Sequence, residues 1–322
     1  MDAGKTFKVR VSKKELLTPE IALFELSSED GSPLPAFEAG AHVDVGTPSG
    51  KTRQYSLCGN PHQAQRYEIA VLKETAGRGG SQSMHEGVQA GDELSISAPR
   101  NQFALTLGAQ RSLLLAGGIG ITPLLSMAQT LSQTNQEFSL HYCARAAARA
   151  AFVDRIESSD FADKVHFHFD DGLAEQKLDM LALLALPQPG IHLYVCGPQG
   201  FMDAVLTTAR KQGWPEDQLH YEFFKAEPVS TAVANSFEVV LASSGQVIRV
   251  DAGQTVIAAL AANGVSVMTS CEQGVCGTCV TRVLEGEPDH LDMYFTPEEK
   301  AINDQFLPCC SRAKSSRLVL DL

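Results

Sequence analysis

Four cysteines late in the chain are spaced as ligands. Cys271, Cys276 and Cys279 run as Cys-x4-Cys-x2-Cys, and Cys309 follows thirty residues on. This is the spacing of a plant-type [2Fe–2S] centre, in which three thiolates sit on one tight loop and the fourth arrives from elsewhere. The small residues Gly274, Gly277 and Thr278 let backbone N–H groups turn toward the sulfurs, which raises the electron affinity of such a cluster. A structural zinc on Cys276, Cys279, Cys309 and Cys310 is the competing use of these thiols, and inert thiols are the plain one. Zinc leaves Cys271 idle and lacks a second Cys-x2-Cys. No Cys-x-His pair exists, which excludes a Rieske centre in this chain. Spacing alone leaves the fourth ligand open between Cys309 and Cys310.

Earlier segments carry signals for a flavin and a pyridine nucleotide. In Arg53-Gln54-Tyr55-Ser56, at a strand end, the Arg suits a phosphate, the Tyr an isoalloxazine ring and the Ser hydroxyl the flavin N5. A strand-end Arg/Tyr is also ordinary structure. Gly77-Arg78-Gly79-Gly80-Ser81 opens a helical turn whose free N–H groups form an anion site. With Arg53 and Lys73 nearby, that site matches a terminal phosphate monoester, which favours FMN over FAD; a simple glycine turn is the alternative. Gly117-Gly118-Ile119-Gly120-Ile121-Thr122-Pro123 lies between a strand and a helix, where a pyrophosphate and a nicotinamide can approach the backbone, although it is not Gly-x-Gly-x-x-Gly. Cys196-Gly197-Pro198 ends a later strand at the ligand-binding edge of such a sheet. Cys58 and Cys143 read as core thiols, and the nine histidines show no ligand or triad spacing.

The elements that must position these residues fall into three segments. Runs at Phe7–Val11, Ile21–Leu26, His42–Val45, Tyr67–Leu72 and Glu93–Ser97 alternate at period two and predict a small antiparallel barrel, with one helical turn at Ser81–Gln89. From Arg111 strands alternate with helices: strands Ser112–Leu115, Phe138–Cys143, Lys164–Phe169, His192–Cys196 and Leu219–Phe223, and helices Pro123–Leu131, Phe152–Ser158, Leu178–Leu184 and Gly200–Lys211. That alternation predicts an α/β nucleotide-binding domain with a parallel sheet. Ala226–Ser236 reads as a linker. Strands Phe237–Leu241 and Gln246–Val250 and a helix Thr255–Ala262 then lead into the cysteine loop. The expected domains are residues 1–105, 106–226 and 237–322, with the linker at 227–236.

Composition excludes several classes. Of 322 residues, 44% are hydrophobic and 20% charged, as in a packed globular chain. A net charge of −12 argues against nucleic acid and anionic membranes and suggests a basic patch on any protein partner. No apolar run is long enough to span a bilayer, and Met1–Arg10 is too polar for a signal peptide, so a cytoplasmic location is expected.

In this order, Arg53–Ser56, Gly77–Ser81, Gly117–Pro123, Tyr194–Pro198 and Cys271–Cys279 closely resemble the phthalate dioxygenase reductase family, over essentially the whole length. The resemblance implies a multidomain α/β chain: an antiparallel flavin-binding β-barrel, a ferredoxin-reductase-like NAD domain and a C-terminal β-grasp ferredoxin domain. It implies FMN, NADH and one [2Fe–2S] cluster. On matching positions, Arg53, Gln54, Tyr55, Ser56, Lys73, Gly79, Gly80 and Ser81 would hold FMN, with Thr122 and Pro123 near it. Phe224, in Tyr221-Glu222-Phe223-Phe224, would shield the flavin face. Gly117, Gly118, Gly120, Cys196, Gly197 and Pro198 would contact the nicotinamide cofactor. Ser56, Cys196 and Phe224 are the expected catalytic positions. The family's Cys-x-Ser-Arg-Ala pattern picks Cys309 as the fourth ligand. Arg145 and Arg149, with no acidic residue before Asp154, leave NADPH open beside the family's NADH.

The expected function is the reductase component of a two-component Rieske-type oxygenase, a usually monomeric chain passing electrons from NADH through FMN and the cluster to a terminal oxygenase. A ferredoxin-type carrier and docking module, and a stand-alone flavin reductase using oxygen or ferric ions, are the alternatives.

Overall fold

The computed structural model describes residues 6–63, 65–106, 108–224 and 235–322. The chain divides into two compact units, one ending at Phe224 and one holding the C-terminal residues. The expected linker lies outside the described residues except for Asn235 and Ser236.

The first unit opens with an antiparallel sheet of β1 (Thr6–Thr18), β2 (Ile21–Ser27), β3 (His42–Gly46), β4 (Thr52–Ser56), β5 (Arg66–Leu72) and β6 (Glu93–Ser97), in the order β4-β3-β6-β1-β2-β5. An antiparallel bridge between Leu57 and Ile69 joins the two edges, so the sheet closes into a barrel. Alternation at period two sends Val9, Val11, Phe24, Val43, Ile69 and Ile96 inward to one core. The helix α1 (Gly80–Gly87) begins at Gly80, one residue before the expected start.

Five parallel strands follow: β7 (Arg111–Gly117), β8 (Phe138–Ala144), β9 (Val165–Phe169), β10 (Ile191–Cys196) and β11 (Leu219–Glu222), in the order β11-β10-β7-β8-β9. The helices between them are α2 (Ile121–Gln133), α3 (Val153–Glu157), α4 (Met180–Leu184) and α5 (Gln199–Lys211). Leu114, Leu140 and Tyr142 share one face and pack with Leu124, Leu125 and Ala128 of α2. Gly117 points to the opposite face, where Phe201 of α5 meets it, so helices cover both sides of the sheet. α3 and α4 are shorter than expected because Phe152, at φ +66°, and Asp179, whose carboxylate accepts the Ala182 N–H at 3.0 Å, start them late.

The second unit contains β12 (Phe237–Leu241), β13 (Val247–Val250), α6 (Val256–Ala262), β14 (Thr281–Glu285), β15 (Pro288–Asp289), α7 (Pro297–Ile302), β16 (Gln305–Phe306), β17 (Arg312–Ala313) and β18 (Arg317–Leu320). The sheet order is β13-β12-β18-β14-β16, with β12 and β18 paired in parallel and α6 packed on it through Val256, Ala259 and Leu260. This is the expected β-grasp arrangement.

Leu114 is fully buried at the centre of β7. Leu114→Ala should lower unfolding stability by about 2–5 kcal/mol, the usual range for a buried leucine. A denaturant midpoint unchanged from wild type would show that this strand is not central to the core.

Candidate functional site

In the first unit, Arg53 on β4 lies against the start of α1. A Cβ on Gly80 would stand 2.9 Å from both Cγ and Nε of Arg53, so the glycine lets the arginine side chain pack directly against the start of the helix. The N-cap residue Gly79, at φ +87°, supplies no side-chain cap. Ser81 Oγ accepts the Glu74 N–H at 3.0 Å, and Lys73 Nζ is 3.0 Å from Glu86. The lysine is thus held beside the helix by an acidic partner.

Two residues further along the barrel, the Tyr55 hydroxyl is buried with no hydrogen-bond partner. An orphaned hydroxyl in a strand that also carries Arg53 is a group to be satisfied by a ligand. Together with the Gly80 cradle it fits a flavin phosphate and its polyol chain.

At the end of β4 the Ser56 hydroxyl donates to Glu222 Oε2 at 3.4 Å, across 166 residues of sequence. Glu222 ends β11, beside Cys196 at the end of β10 in the parallel register. Burial pushes its carboxyl up to about 8, although 17% of the side chain stays accessible, and the Ser56 hydrogen bond opposes the shift. Burial first, and the Glu222 charge second, push the Cys196 thiol well above the usual range. The group is therefore a neutral thiol beside a protonated carboxyl, suited to contact with an uncharged ring rather than to nucleophilic attack.

The glycine-rich turn serves two ends. A Cβ on Gly120 would stand 2.1 Å from the Cys196 carbonyl oxygen, and one on Gly117 would meet Phe201 and Pro198 at 2.9 and 3.0 Å. These two residues, with Gly197 against Gly117, let β7 and β10 close on one another. Gly118, at φ +53° with nothing within 4 Å of where a Cβ would stand, is the glycine of this turn that leaves backbone open to a ligand. Thr122 is buried and donates to the Ile119 carbonyl at 3.0 Å, and Pro123 lies in the first turn of α2. Phe224 is 36% exposed at the end of the unit.

Sequence reasoning gave no role to Glu222 or to His42, which lies 3.8 Å from Glu222 Oε1. A lone carboxylate at the end of a buried strand was the only local signal.

In the second unit, Cys271, Cys276, Cys279 and Cys309 are all buried. They come in pairs: Cys271 hydrogen-bonds Cys276, while Cys309 hydrogen-bonds Cys279 and its neighbour Cys310. The Cys271 contact holds the Cys276 thiol below its usual range. Among the described residues no three His, Cys, Asp or Glu side chains converge as one metal ion requires. Two thiols per iron, from two pairs, fit a two-iron cluster better than a single tetrahedral zinc. Gly277, at φ +67°, must be glycine because a Cβ would enter the Tyr294 ring at 2.3 Å. Buried Asp292 fixes the surround, accepting from Ser311 Oγ at 3.3 Å and from the Tyr294 and Phe295 N–H groups at 3.2 and 2.9 Å.

Comparison with known proteins agrees. Residues 239–314 match the 2Fe-2S iron–sulfur cluster binding domain family, and residues 96–219 match the dimethylamine monooxygenase subunit DmmA-like N-terminal domain. A vanillate O-demethylase oxidoreductase from Pseudomonas sp. (strain HR199 / DSM 7063) is 55% identical over 98% of this chain and 99% of its own. Phthalate dioxygenase reductase from Burkholderia cepacia is 39% identical over 98% and 97%. The chain belongs to the phthalate dioxygenase reductase family. A solved phthalate dioxygenase reductase, described as a modular structure for electron transfer from pyridine nucleotides to [2Fe–2S], superposes at TM-score 0.78 with 39% identity over 98% of each chain. As a member of this family the chain is an iron–sulfur flavoprotein oxidoreductase, the component that delivers electrons from a pyridine nucleotide to a terminal oxygenase. No helix among the described residues is long and apolar enough to cross a membrane.

The raised Glu222 carboxyl has a sign that can be measured. Its stability contribution is full below its ordinary value of 4.5 and is lost as pH rises through about 8. Glu222→Gln removes that loss, so the variant's melting temperature should gain on wild type between about pH 5 and pH 8. A difference that stays constant with pH would contradict the burial of this carboxyl.

Proposed function

We propose that this chain is the NADH- and FMN-dependent reductase of a two-component Rieske-type oxygenase, working as a monomer. The observation that carries the reading is the two-pair thiol arrangement joined, in one polypeptide, to a flavin cradle. A bound flavin supplies the exchange between a two-electron donor and single electrons. Arg53, the open start of α1 and Ser81 bind its terminal phosphate, and a site for one phosphate dianion is what favours FMN over FAD. The Tyr55 hydroxyl satisfies its missing hydrogen bond on the polyol side. Ser56 Oγ holds a proton at the flavin edge, with Glu222 Oε2 accepting from it. Gly118 and Cys196 place the nicotinamide, and Phe224 covers the ring face and excludes water.

Two observations bear on the nucleotide and the partner. Arg149 makes a half-exposed ion pair with Glu20 at 2.9 Å, and the choice of NADH follows the family resemblance. The similarity to vanillate O-demethylase oxidoreductases makes an aromatic O-demethylase the oxygenase to test first. The domain limits at 105, 226 and 237 stand as part of this proposal.

Released flavin should run as FMN, not FAD. Cys271→Ser should cut NADH-dependent cytochrome c reduction roughly tenfold or more while ferricyanide turnover persists, because only the first acceptor needs the cluster. Full cytochrome c activity in that variant would favour a stand-alone flavin reductase instead.

A further inference from the structure

The four thiols assigned to the cluster are almost sealed from solvent: Cys271, Cys276, Cys279 and Cys309 are 8, 4, 2 and 6% exposed. Yet the loop that carries three of them has glycine at 274 and 277, so it brings no side chain of its own to those positions. Their cover must come from elsewhere in the fold, and the two glycines are covered differently.

A Cβ on Gly274 would meet Cys310 Sγ at 2.5 Å and Asp292 Cα at 3.1 Å. Asp292 is buried, so that side of the loop faces the protein interior. A Cβ on Gly277 has its three nearest atoms in a single ring: it would collide with Tyr294 Cε2 and Cζ and stand 2.7 Å from the Tyr294 hydroxyl. Tyr294 is itself 37% exposed. One part of the ring therefore lies on the backbone between Cys276 and Cys279, and the rest is in water.

The surrounding chain fixes the ring in this place. The Tyr294 and Phe295 N–H groups donate to Asp292 Oδ2 at 3.2 and 2.9 Å, and the Met293 N–H donates to the Gly274 carbonyl at 2.9 Å. Phe295 meets the Tyr294 ring edge-on with centroids 5.0 Å apart, and the capping box of α7 begins at the next residue, Thr296. Burial first, then the charges of Glu299 and Cys276, raise the hydroxyl above its ordinary range, so it stays un-ionised.

We propose that Tyr294 is a positioning residue that supplies the side chain missing at Gly277 and closes the Cys276–Cys279 side of the cluster loop to water and dioxygen. The proposal rests on the cluster reading of the four thiols. A reduced cluster carries one more negative charge than an oxidised one, so water at the thiolates favours the reduced form and raises the potential. Dioxygen that reaches a reduced cluster takes one electron, leaving an oxidised cluster and superoxide. Each such loss diverts an electron from the oxygenase, and a cover over the loop prevents it.

The test uses the full-length holo-protein with Tyr294→Phe, Tyr294→Leu and Tyr294→Ala. In a redox titration followed by EPR, the reduced-to-oxidised ratio at a fixed potential should rise roughly threefold in Tyr294→Ala. It should stay at the wild-type value in Tyr294→Phe and fall between the two in Tyr294→Leu. Deuterium modulation of the reduced-cluster EPR signal in D2O should grow in the same order. Without an oxygenase, NADH-dependent dioxygen uptake should rise severalfold in Tyr294→Ala. Tyr294→Leu keeps apolar bulk and decides the matter where Tyr294→Ala does not fold. A wild-type potential and wild-type deuterium modulation in Tyr294→Leu would overturn the cover while leaving the cluster reading intact. Wild-type protein without iron and acid-labile sulfide would overturn both.

Discussion

Everything in the C-terminal unit answers to one requirement: four thiols must be held as two pairs, and no short segment can do that alone. The loop carrying Cys271, Cys276 and Cys279 supplies three, and the chain must travel through β14, α7 and β16 before Cys309 closes the second pair. Asp292, fully buried, braces that return by gathering Ser311 beside Cys309 and the N–H groups that precede α7. The Met293 N–H donates to the Gly274 carbonyl at 2.9 Å and ties the brace to the cluster loop. A buried carboxylate satisfied by several donors is costly to disturb, so Asp292 holds the two segments that flank the cysteines together.

The N-terminal unit solves a different problem, the meeting of a barrel strand and two sheet strands at one buried polar cluster. Ser56 comes from β4, Cys196 from β10 and Glu222 from β11, and burial keeps the thiol and the carboxyl protonated. Glycines at 117, 120 and 197 permit this closure because side chains there would collide with the opposing strand. The chemistry belongs to the cofactors; the protein contributes distance, protonation state and exclusion of water.

Much of this was legible in the sequence, for identifiable reasons. Period-two alternation marks the barrel strands, and the strand–helix alternation marks the parallel sheet, because each must bury one face. The cysteine spacing is local to a single loop and so can be read directly. Glu222 and His42 were not legible: they lie 180 residues apart and meet only through the fold. The short strands β15, β16 and β17 carry two residues each and leave no periodic trace. The start of α7 could have been found from Thr296-Pro297 and Glu299, which form a capping box. Lys73 was expected at a phosphate, and its contact with Glu86 shows how an acidic neighbour can share such a group.

The most direct test is an anaerobic reductive titration of the purified protein with NADH, followed by absorbance and low-temperature EPR. The account requires bleaching of a bound flavin together with growth of the signal of a reduced [2Fe–2S] cluster. Flavin that bleaches without any iron–sulfur signal, or protein that carries zinc and no acid-labile sulfide, would contradict it.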